Sequence, residues 1–90
     1  MALGGRHRKT LAAIFDHPVR AGVAWRDVER LLIALGGEIS EGRGSRVRIH
    51  LNGVRAVFHR PHPRKEADKG ALRSMRRFLS AAGVETPDDA

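Results

Sequence analysis

The chain has 90 residues, 41% of them hydrophobic and 4% aromatic, with a formal net charge of +7. That length supports one small domain, whose core must be built from Leu, Ile, Val and Ala around a few larger anchors. Cysteine is absent, which excludes a disulfide scaffold, a thiolate zinc site and a cysteine nucleophile. No apolar run approaches the roughly 18 residues of a membrane span. The basic excess is local, because residues 42–66 hold seven basic residues and one acidic one. Such a cluster favours a polyanionic partner.

The N-terminal stretch MALGGRHRKT is basic, but only LAAIF follows it. That is too short for the apolar segment of a secretory signal, so a cytoplasmic protein is expected. Residues 8–15 (RKTLAAIF) predict a short helix, ended by Asp16, His17 and Pro18, because the residue before proline avoids helical angles. Residues 1–24 are read as an N-terminal helical extension packed on the main domain as an appendage.

A second helix is predicted from Trp25 to Leu35. Val28, Leu31, Leu32 and Leu35 form its buried stripe, with Arg26, Glu29 and Arg30 facing water. Asp27 suits the first turn, where the helix dipole favours an acid. Gly36-Gly37 supplies the left-handed stop. A short strand over Glu38–Glu41 leads to Gly42-Arg43-Gly44.

The clearest pattern follows. Arg46–Leu51 alternates strictly, and Asn52-Gly53 is a two-residue hairpin signal because both residues tolerate positive φ. A two-residue turn sets the register: Leu51 opposite Val54, Ile49 opposite Ala56 and Val47 opposite Phe58, all inward. The outward pairs are then His50 with Arg55, Arg48 with Val57, and Arg46 with His59. Val57 alone among those six lacks a guanidinium or an imidazole.

Residues 60–70 (RPHPRKEADKG) read as a polar loop. The last helix is predicted from Lys69 to Ala82, with Asp68 as N-cap and Gly83 just past its end. Leu72, Met75, Phe78, Leu79 and Ala82 form its buried stripe; Lys69, Arg73, Arg76 and Arg77 lie on the outer side. Residues 85–90 are read as a loose tail. The predicted order is α-α-β-β-β-α. The fold class is α+β: a two-layer domain over residues 25–84, with a three-stranded antiparallel sheet packed on helices.

Several motifs stand in a fixed order: Gly44-Ser45 before the hairpin, Pro61-His62-Pro63, Lys69-Gly70-Ala71-Leu72-Arg73, and Ala82-Gly83-Val84. Together they resemble the HicA toxin family over roughly residues 25–84. The resemblance implies a double-stranded-RNA-binding-like fold and a metal-independent, cofactor-free ribonuclease that cleaves mRNA. It also implies neutralisation by a HicB-like antitoxin. The family carries its catalytic histidine directly after Gly-Ser, whereas this chain has Arg46 there, so that role transfers to no position. His62 matches the histidine of the family's Pro-His-Pro loop, which is not the one assigned to catalysis.

Metal-free RNA cleavage needs a base for the 2′-OH proton and an acid for the leaving 5′-oxygen, and histidine suits both roles. Arginine stays protonated, so Arg46 can hold a phosphate but not move its proton. The predicted register places His59 across from Arg46, with Cβ atoms about 5 Å apart. One reading makes His59 the base and Arg46 the phosphate clamp. The other makes His59 and His50 ordinary surface residues of a basic sheet.

Arg48, Arg55, Arg60, Arg64 and Lys65 are candidate phosphate contacts. Ser45, Arg46, His50 and His62 join them, as do Lys69 and Arg73 on the last helix, where acidic groups of an antitoxin would pair equally well. The loop Gly42-Arg43-Gly44-Ser45 is either a phosphate cradle or a plain inter-strand turn; it lacks the Lys-Ser/Thr of a nucleotide-triphosphate loop. His7, His17, His50, His59 and His62 show no metal-binding spacing. Trp25 and Phe58 are read as core anchors. Without tyrosine the chain offers no stacking platform for single-stranded bases. Recognition is therefore expected through backbone and shape, as on double-stranded RNA.

Three functions are compatible with these features: a HicA-like toxin that binds and cleaves mRNA, a non-catalytic RNA-binding module that keeps the fold, and a protein-interaction domain for an acidic partner.

Overall fold

The computed structural model describes residues 3–20, 22–61 and 65–85. Helix α1 (Gly5–Ile14) begins three residues before the predicted helix, inside the glycine pair. Glycine's low helix propensity hides such a start. Leu11, Ala13 and Ile14 are buried in the same core as the rest of the chain.

Strand β1 (Val23–Ala24) runs straight into helix α2 (Trp25–Ala34). Trp25, Val28, Leu31 and Leu32 of α2 are buried. The helix ends as its glycines require: Gly36, at φ 92°, donates to the Ile33 carbonyl and Gly37 to the Leu32 carbonyl. A Cβ on Gly37 would lie 2.9 Å from that Leu32 oxygen, so the chain turns here only through a residue without a side chain.

Strands β2 (Glu38–Glu41), β3 (Arg46–Leu51) and β4 (Val54–His59) form an antiparallel sheet in the order β2-β3-β4. The hairpin register is the predicted one throughout, from Leu51 opposite Val54 to Arg46 opposite His59. Asn52 and Gly53 both take positive φ, 50° and 81°, as this turn type demands. The Asn52 amide also donates to the Ala82 carbonyl at 2.8 Å, tying the turn to the end of the last helix.

Strand β5 (Glu66–Ala67) precedes helix α3 (Lys69–Ala81). Asp68 caps that helix through Oδ1, which accepts from the Ala71 amide at 2.7 Å. At its far end Gly83 donates to the Ser80 carbonyl and Val84 to the Leu79 carbonyl, the paired bonds of a glycine-terminated helix.

The fold is thus α+β, with the inward face of the three-stranded sheet (Val47, Ile49, Leu51, Phe58) packed on the helices through Leu31, Leu32, Leu72, Met75 and Leu79. The ring of Phe58 sits between Trp25 and Phe78, at centroid distances of 5.9 and 6.0 Å. Two expectations need correction. Residues 60–70 are not all loop, because β5 pairs antiparallel with β1, Val23 opposite Ala67 and Ala24 opposite Glu66. A bond from the Trp25 amide to the Lys65 carbonyl extends that ladder. Nor does Arg76 lie on the outer side of α3. Its guanidinium reaches the backbone carbonyls of Ile14 (3.2 Å) and Asp16 (2.7 Å), latching α3 to the end of α1.

Candidate nucleic-acid interface

Alternation along β3 and β4 turns one set of side chains to the core and the other to solvent. Arg46, Arg48, Arg55, Val57 and His59 are exposed and His50 is half-buried, all on the face turned away from the helices. Arg46 with His59, Arg48 with Val57, and His50 with Arg55 are the non-hydrogen-bonded pairs of the ladder, in which side chains approach most closely. The register therefore sets an imidazole beside a guanidinium at each end of the face.

The face is less uniform than its own strands suggest, because β2 adds Glu38 beside His50 and Ser40 beside Arg48. Glu38 Oε1 lies 3.6 Å from His50 Nδ1. Arg48 donates to the Glu41 carbonyl at 3.0 Å, which swings its guanidinium towards β2. Among the described residues, Arg46, Arg55 and His59 have no side-chain hydrogen bond or ion pair. A shallow depression of about 490 Å³ on this face is lined by Glu38, Ser40, Arg48, His50, Arg55 and Val57 among others. Val57, 57% exposed, contributes an apolar side chain to its lining.

Arg60 does not share this face. Its Nε donates to Glu29 Oε2 at 2.8 Å and its Nη1 to Glu41 Oε1 at 2.6 Å. Glu29, expected to face water, also accepts the indole N–H of Trp25. The hydrogen bond from Arg60 holds the Glu41 carboxyl below its ordinary 4.5. The bonds from Glu41 and Glu29 in turn raise the pKa of Arg60, so this arginine is permanently charged and already matched. Acidic partners distant in sequence gave no local signal of this arrangement.

Lys65, Lys69 and Arg73 are exposed, but none lines the depressions that Arg55 and His59 line. His62 and Arg64 lie outside the described residues. Ser45 is exposed, and its carbonyl accepts the Arg60 amide. In the loop before β3, the Gly42 amide bonds the Arg46 carbonyl and the Arg46 amide the Arg43 carbonyl. Those two donors are used by the turn itself. Among the described residues no three His, Asp or Glu side chains group as a metal site, and no helix is long and apolar enough to cross a membrane.

A protein-family model, the HicA toxin of bacterial toxin–antitoxin systems, matches residues 25–84. No curated protein and no solved structure matches the chain. The matched span runs from Trp25 at the start of α2 through the sheet to Val84 beyond α3, and so contains the whole cationic face. The chain belongs to the HicA toxin family.

Proposed function

We propose that this toxin acts on RNA, gripping phosphates with the outward face of β3 and β4 and cleaving without a metal, His59 serving as base and Arg46 as phosphate clamp. The observation that carries the reading is the pairing of Arg46 with His59 on an open sheet face. With Arg46 on the scissile phosphate, His59 takes the proton of the neighbouring 2′-OH. The 2′-oxygen bonds to phosphorus, and the phosphorus–5′-oxygen bond breaks. The products are a 2′,3′-cyclic phosphate and a free 5′-OH, whose proton comes from solvent on the open face. In the cell a HicB-like antitoxin, the partner expected for the family, would cover this activity.

A second reading is a binder that no longer cleaves, and Arg46 in the place of the family's histidine favours it. Purified protein incubated with RNA in EDTA decides between them. Cleavage that disappears in His59→Ala supports the nuclease. Intact RNA with a salt-sensitive band shift supports the binder, and neither cleavage nor shift removes both.

A further inference from the structure

The sheet ends at β4. The turn after Leu51 and the bond from the Arg60 amide to the Ser45 carbonyl show which β4 residues bond to β3: Val54, Ala56, Phe58 and Arg60. In an antiparallel ladder the alternate residues aim their backbone groups the other way. Arg55, Val57 and His59 therefore direct their N–H and C=O groups outward. Among the described residues no strand pairs with this edge. Beside it runs a groove of about 590 Å³ between β4 and α3, lined by Phe58, Asp68, Ala71, Ser74, Arg77 and Phe78 among others; the Asp68 carboxylate is engaged as the cap of α3.

We propose that this groove receives an extended acidic segment of a partner protein, which adds to the sheet as a fourth strand along β4. A polypeptide strand supplies donors and acceptors in alternation, as the three outward residues require. A run of phosphates offers acceptors alone. A strand laid here turns alternate side chains outward, beside Arg55, Val57 and His59, and the others inward over Ala71 and Phe78. The matching pattern is acidic outward and small apolar inward. A second copy of this chain is disfavoured, because pairing two β4 edges about Val57 sets Arg55 against His59 at both ends and gives neither guanidinium an acidic partner across the pair. The proposal concerns the backbone edge, so a protein inert towards RNA would still show it.

The test uses the full chain and capped peptides of alternating Glu and Val or alternating Lys and Val, followed by amide hydrogen exchange. The Glu-Val peptide is expected to slow exchange at the Val57 and His59 amides and to bind about tenfold more tightly than the Lys-Val peptide. Val57→Pro, tolerated where an edge amide faces solvent, removes one main-chain bond and is expected to weaken binding by about tenfold. If that variant does not fold, Arg55→Glu replaces it and is expected to reverse the peptide preference. The idea is overturned by absent protection or by equal binding of the two peptides. It is also overturned by protection from raised protein concentration alone, or by protection from duplex RNA but not peptide.

Discussion

Replacing Arg60 by methionine keeps the aliphatic stem and removes the guanidinium, which separates a structural arginine from one that meets RNA. Hydrogen bonds to charged groups contribute about 1.5–3 kcal/mol when well shielded. The Glu29 and Arg60 side chains are 20% and 34% exposed, and solvent screening brings their pair to about 1–2 kcal/mol. The variant leaves Glu29 with the Trp25 indole as its remaining partner. In a domain of this size each kcal/mol moves the melting midpoint by about 4–8 °C, so Arg60→Met is expected to melt roughly 5–15 °C lower. A double-mutant cycle with Glu29→Gln should return a coupling of about 1 kcal/mol or more. The acid limb adds a second reading. The folded pKa of Glu41 is depressed, so its contribution is complete above its ordinary 4.5 and lost as pH falls through the lower folded value. Arg60→Met should remove that loss. An unchanged midpoint together with weakened RNA binding would refute the structural assignment.

Three further outcomes are expected. Asn52→Ala should lower stability by about 1–3 kcal/mol in urea titrations, through left-handed strain and the lost bond to Ala82, whereas Asn52→Gly should lose only the bond; equal effects would show that the turn geometry contributes nothing. Ile14→Ala, in α1, should cost about 2–4 kcal/mol because the side chain is fully buried; a wild-type melting curve would mean that α1 is not part of the cooperative unit. Arg48→Ala should reduce the slope of log K against log salt for duplex RNA by about 0.9, the share of one phosphate contact. A parallel line with the wild-type slope would remove Arg48 from the interface.

The hairpin was legible because strict alternation and Asn52-Gly53 constrain the same register from two directions. The facing of Arg46, Arg48, His50, Arg55 and His59 followed from that register alone. The β1–β5 pair was not legible: two residues have no period, and Val23 and Ala67 meet only through the tertiary fold. Arg60 shows the limit for the site. Composition and clustering treat every arginine in a basic stretch alike, yet Glu29 and Glu41 arrive from α2 and β2 and remove this one from the free cations. The same holds for Arg76, whose helical position said nothing about the carbonyls left at the end of α1.

The latch from Arg76 to Ile14 joins residues 62 positions apart in the chain. During synthesis α1 can pack against α2 early, but the carbonyls at its end gain this donor only once α3 has emerged, after the three strands of the sheet.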